Sequence, residues 1–289
     1  MNILPAIKCA LILLSVCCLS ACNQEKAQAL QLAATTFSNE ADRACKMGAD
    51  SLQAAVAMPA LTRSDIATSL AQAKKFGATE LDLIYADNSI TDSANAPALT
   101  ALNQACEAHR QLAAIYTDLP RGYLLATDEV NKAQKLVVNV TARFARLGHI
   151  FAELPSTGRD NISRIRIIEA RSKAMAVADE KARAALLGSV ADDILLNQTN
   201  EAQSRDLILS QFAKATVLGE KLAQTSVHYD QMTVADLLES LREFSALYGS
   251  VTNRAATAQS AINSINRVEA NLKNDAALSP LLDAVVGQK

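Results

Sequence analysis

The chain has 289 residues, half of them hydrophobic but only 4% aromatic, with nine Gly, six Pro and no Trp, so its apolar content is mostly Ala and Leu. Lys and Arg number 28 against 30 Asp and Glu, a balance that argues against a nucleic-acid-binding face and against an acidic tail. The length suits one large domain or two small ones with ample apolar surface for a core, and the Ala/Leu bias is that of helices.

The N-terminus comes first in chain order. Met1 to Lys8 carries one positive charge, Cys9 to Cys18 is an apolar run, and Leu19-Ser20-Ala21-Cys22 follows, which is the order of parts in a signal peptide. The run is too short to cross a bilayer, which needs about 20 residues, and no later uncharged stretch reaches that length. Leu19, Ser20, Ala21 and Cys22 resemble the lipobox of bacterial lipoprotein precursors, in which small residues precede a cysteine that receives lipid. The resemblance covers the leader alone. It implies a signal peptide over 1–21, acyl chains on Cys22, and a cell-envelope protein held to a membrane by that lipid. Each buried CH₂ contributes about 0.8 kcal/mol, so two or three chains hold where one does not. Asn23 follows the cysteine; an Asp there favours the inner membrane in the enteric sorting scheme, so the resemblance points to the outer one. The face of the membrane stays open.

After the leader, helices are predicted at about 24–57, 64–87 and 97–118, separated by Pro59, the polar stretch Asp87–Ala96 and Pro97. With Cys9, Cys17 and Cys18 in the leader and Cys22 lipidated, Cys45 and Cys106 are the remaining thiols, and an oxidising envelope permits one bridge between them. If the three helices alternate up, down, up, a rise of about 1.5 Å per residue puts Cys45 and Cys106 at nearly the same level. Pro120 and Pro155 mark further breaks. From Ser156 to Ser279 there is no proline, and this half reads as long helices at about 160–196, 199–229 and 233–273, with a short last one at Ser279–Val286. Thr233 and Asp236 form a capping box opening the third of these. Its apolar stripe runs Val234, Leu237, Leu241, Phe244, Tyr248, Val251, Ala255, Ala258, Ile262, Ile265 and Leu272, interrupted by Glu269, the seam a bundle helix shows its partner. Gly48, Gly77, Gly148, Gly188, Gly219 and Gly249 each cost a helix about 1 kcal/mol relative to Ala, and mark kinks or close crossings. The fold expected is an all-α, elongated antiparallel helical bundle over 22–289, with 22–155 and 156–289 as candidate sub-bundles.

Catalytic patterns are scarce. His109, His149 and His228 have no second His or Cys at i+3 or i+4, no glycine-rich phosphate loop or Gly-x-Ser-x-Gly elbow occurs, and no pattern points to a metal or cofactor. His228, Tyr229 and Asp230 form the densest polar group, at a predicted helix–helix turn. The pairs Asp128-Glu129, Asp179-Glu180 and Asp192-Asp193 are adjacent on helices and so diverge. Arg159, Arg164, Arg166, Arg171 and Lys173 outnumber Asp160 and Glu169 and form a basic patch that suits an anionic partner or lipid, unless it is simply a solvated face opposite Ile165, Ile168 and Met175. These readings favour a non-enzymatic lipoprotein that presents helical surface to another envelope protein, in secretion, transport, exclusion or envelope maintenance. The competing expectation is a bundle that holds a small apolar ligand or lipid between its helices.

Overall fold

The computed structural model describes residues 28, 30–52, 95–118, 127–154, 167, 170–171, 173–228, 232–253 and 257–286. The protein is an all-α helical bundle, with no strand among the described residues. In chain order the helices are α1 (30–52), α2 (Asn95–Asp118), α3 (Thr127–Glu153), α4 (Glu180–Val227), α5 (Val234–Asn253), α6 (Ala258–Asn274) and α7 (Ser279–Val286).

The core follows directly from apolar spacing. Leu102, Ala105, His109, Leu112 and Tyr116 make the buried stripe of α2; Val137, Thr141, Phe144, Gly148 and Phe151 make that of α3. Steps of three and four keep such a stripe on one side of a helix. One contiguous apolar cluster runs from Leu30 to Leu282 and takes residues from both sides of Pro155. Phe37, Phe144 and Phe212 fill its middle, the last two with ring centres 6.1 Å apart.

Cross-helix contacts fix the directions. Along α3 and α4, Gln134 Nε2 donates to Ser226 O, Thr141 faces Gly219, Gly148 faces Phe212, and an Arg205 guanidinium N–H donates to Leu154 O, so the pair is antiparallel. Phe37 against Gly219 and Gly48 against Phe212 make α1 antiparallel to α4 as well. Lys221 with Glu243 and Thr225 with Ser240 do the same for α5, whereas Asp206 with Ala258 and Glu220 with Asn271 run α6 parallel to α4. Gly48, Gly148 and Gly219 are close crossings: a Cβ on them would stand 3.0, 2.3 and 2.4 Å from Leu102, Ile265 and Thr141 side-chain atoms. A Cβ added at Gly188 or Gly249 would meet nothing within 4 Å beyond its own helix turn, and Gly77 lies outside the described residues.

Three expectations are corrected. The predicted helices 160–196 and 199–229 are cut elsewhere: α4 passes unbroken through Asn197–Asn200, and the break falls at 176–179. That polar tract holds neither Pro nor Gly, and Thr199 Oγ1 returns its hydrogen bond to Leu195 O within the helix, while Asp179 caps α4 by accepting from Ala182 N at 2.7 Å. The predicted helix 233–273 is two helices, because the chain reverses after Asn253 and Thr257 opens α6 by accepting from Ser260 N. In its second part Ile265 and Leu272 are buried as the stripe requires, joined by Ala261 and Val268, which the stripe omits. Last, the first and third predicted helices are antiparallel: Ser38 and Asp42 of α1 meet His109 of α2, Cys45 meets Cys106, and Gly48 meets Leu102. The predicted helix at 64–87 lies outside the described residues. Thr233 and Asp236 form the expected box, each accepting the other's backbone N–H, at 3.2 and 2.8 Å.

Candidate functional site

Every residue that α4 gives to the contiguous core lies at or beyond Ile208. Among the described residues, no hydrogen bond, ion pair or shared core packing links α1, α2, α3, α5 or α6 to residues 180–204, which extend for about 36 Å at helical rise beyond the level of Arg205. Among the described residues of this arm only Val190 is buried; Leu186, Leu195 and Leu196 are 46%, 63% and 59% exposed. Arg205 and Asp206 stand where the arm leaves the bundle. Arg205 donates to the carbonyl of Leu154 at the end of α3, and Asp206 accepts from Ala258 N at the start of α6, at 2.6 Å. The cation meets the negative end of one helix and the carboxylate the positive end of another. The arm is thus continuous with the core helix and is tied at its root to the ends of α3 and α6.

A second concentration of polar chemistry lies in the core. His109 on α2 is 1% exposed and packs edge-on to Phe37 and near Phe144, with ring centres 5.8 and 6.4 Å away. Its Nε2 lies 3.1 Å from Asp42 Oδ1 and 3.3 Å from Ser38 Oγ. A carboxylate only accepts, so Nε2 carries the hydrogen and Nδ1 the lone pair, and Nδ1 is buried with no hydrogen-bond partner. Burial holds this imidazole below the ordinary histidine range, aided by Arg110 and opposed by the Asp42 carboxylate. Ser, His and Asp are present, but serine and carboxylate share one ring nitrogen. A nucleophile relay needs them on opposite nitrogens, so the trio reads as a packing joint between α1 and α2.

Other buried polar groups tie helices together in the same manner. Glu40, 1% exposed, accepts from Gln211 Nε2 of α4 at 2.7 Å and from Arg43, with Tyr248 OH of α5 at 3.5 Å. Glu220 accepts from Asn271 of α6 at 2.7 Å, and burial raises its carboxyl above the usual range. Tyr116 and Ser226 share a buried hydrogen bond of 2.7 Å, and burial drives the phenol upward.

Of the residues singled out in the sequence, Cys45 and Cys106 are joined as a disulfide with Cα atoms 5.9 Å apart. Cys22 lies outside the described residues, as do Arg159, Arg164 and Arg166 of the basic patch; Arg171 is half-buried and Lys173 exposed. His228 is exposed and ends α4, its N–H donating to Gln224 O, while Tyr229 and Asp230 lie outside the described residues. His149 pairs with Glu269, the polar residue that interrupts the stripe of α6, at 3.2 Å. The trio around His109 escaped sequence reading because its partners sit 67 and 71 residues away. Among the described residues no three His, Cys, Asp or Glu gather to hold a metal, and no helix is long and apolar enough to cross a membrane. Comparison with known proteins gives no matching family model, no matching curated protein and no matching solved structure.

Proposed function

We propose that this chain is a lipid-anchored lipoprotein of the bacterial envelope, attached to the outer membrane through Cys22, whose bundle presents the arm of α4 to a protein partner. Two observations support the address. Leu19-Ser20-Ala21-Cys22 has the order of a lipobox, and the two cysteines left after processing form a bridge, which persists in oxidising compartments. The binding role is carried by one observation: an unbroken helix continues past its own core with Leu186, Leu195 and Leu196 exposed. Exposed large apolar side chains on a projecting element mark surfaces that other proteins cover. No catalytic step is part of this reading; the Ser38, His109 and Asp42 grouping among the described residues is arranged for packing.

The test places a photo-cross-linking side chain at Leu195 in cells, then isolates the adduct from separated inner and outer membranes. One partner of fixed stoichiometry in the outer-membrane fraction is expected, and the double substitution Leu195→Glu, Leu196→Glu removes it without lowering the melting temperature. A partner retained by that double variant would rule out the arm as the docking element. Labelled palmitate that fails to enter the wild-type chain, or still enters Cys22→Ser, would rule out the anchor.

A further inference from the structure

With lipid on Cys22, the helix directions decide which end of the bundle meets the membrane. Leu30, at the start of the described part of α1, is eight residues from Cys22, a span of no more than about 29 Å even when extended. Phe37 of α1 lies against Gly219, and the two helices are antiparallel, so two turns earlier in α1 Leu30 is level with the region of Ser226, the C-terminal end of α4. The arm begins at the other end of the same helix. Glu180 and Val227 bound 48 residues, about 70 Å of helix. The tether and the arm tip are therefore at opposite ends of α4.

A rod tied at one end lies flat on a bilayer only when one side of it binds lipid, through a continuous apolar face flanked by cations. The exposed leucines do not form such a face. Leu186, Leu196 and Leu207 lie within about 80° of one another around α4 but ten or eleven residues apart, with exposed Asp193 and Asn200 between them on the same side; Leu195 points about 100° away from Leu196, Leu32 belongs to α1 and Leu238 to α5. We infer that the bundle meets the bilayer with the end holding the C-terminal turns of α2, α4 and α6, and that the arm of α4 is held off the membrane, so that its partner is engaged tens of ångströms from the anchoring lipid. The inference rests on the lipoprotein reading above.

The test uses the full lipidated protein reconstituted into vesicles that contain an energy-acceptor lipid. A fluorescent donor is attached through Lys181→Cys at the arm tip or Lys273→Cys at the tether end; both side chains are exposed, and the labelling is done without reductant so that Cys45–Cys106 stays closed. Asn271 lies beside Glu220 on parallel helices, so the two donors differ by about 60 Å along the axis. The donor at 273 is expected to lose several-fold more emission to the acceptor lipid than the donor at 181. Equal loss at both positions, or a larger loss at 181, would overturn the end-on posture. The mass of the Cys22 peptide separates the two ideas: acylated protein with equal quenching sinks the posture alone, and unacylated protein sinks the lipoprotein reading on which it rests.

Discussion

Gly219 and Gly188 are both helix-interior glycines of α4, yet their surroundings differ completely. A Cβ at 219 would meet Thr141 Oγ1 at 2.4 Å and Phe37 Cε2 at 3.1 Å, whereas one at 188 would meet nothing within 4 Å beyond its own helix turn. Gly219→Ala is accordingly expected to destabilise by about 1–3 kcal/mol in urea unfolding, through overpacking where α1, α3 and α4 meet. Gly188→Ala is expected to gain up to about 1 kcal/mol of local helix stability, read as slower amide exchange in the arm. His109 sets a pH dependence. Its folded pKa is depressed by burial, so the unfolded chain binds the proton more readily, and the stability it contributes is full above about pH 6.5 and falls as the pH drops through the lower folded value. His109→Gln should flatten that limb of a melting-temperature-versus-pH curve. Glu220 acts in the opposite sense. Burial raises its carboxyl, so its contribution is present at acid pH and lost as the pH rises, and Glu220→Gln is expected to hold or raise the melting temperature at pH 7.

Helix ends carry the next level of specificity. Asp179, Thr233 and Thr257 open α4, α5 and α6, each accepting a first-turn amide, and α6 has a second cap from outside in Asp206. Losing a cap of this kind costs about 1 kcal/mol. Asp206→Ala is therefore expected to lower global stability by about that much and to speed exchange at Ala258 by more than in helices α2 and α3. The effect should exceed that of Thr233→Ala on global unfolding, because α6 buries Ala261, Ile265, Val268 and Leu272, whereas among the described side chains of α5 Phe244 is the one fully buried, with Leu247 and Tyr248 packed part-buried against the core.

The whole molecule is held by a core shared among helices and by one covalent staple. Cys45 and Cys106 are 61 residues apart, and closing a loop of that length contributes about 4 kcal/mol in the chain-entropy model. Reduction, or the double substitution Cys45→Ala, Cys106→Ala, is expected to shift the urea midpoint downward by an amount of that order, with the slope of the transition rising as the unfolded chain expands. The antiparallel contacts of α3 with α4 run from Gln134–Ser226 to Leu154–Arg205 and stop at the root of the arm, while the helix itself continues, so a charge change at Leu195 or Leu196 should leave this transition unaltered while it removes a partner.

The amino-acid sequence by itself determined the helical class, the buried stripe positions such as Ile265 and Leu272, the capping box at Thr233, the short helix Ser279–Val286 and the choice of Cys45 and Cys106 as partners. These depend on residues a few positions apart, or, for the cysteines, on Cys45 and Cys106 being the two outside the N-terminal Cys9–Cys22 segment. Tertiary structure decided the rest. The reversal after Asn253 is fixed in part by Asp206, 52 residues from the amide it caps, and the antiparallel pairing of α1 with α2 by His109, Cys106 and Leu102 against residues 54 to 71 positions earlier in the chain. An apolar stripe reads the same whichever way its helix runs and continues unaltered across a turn, so direction and breakage are set by which distant side chains meet.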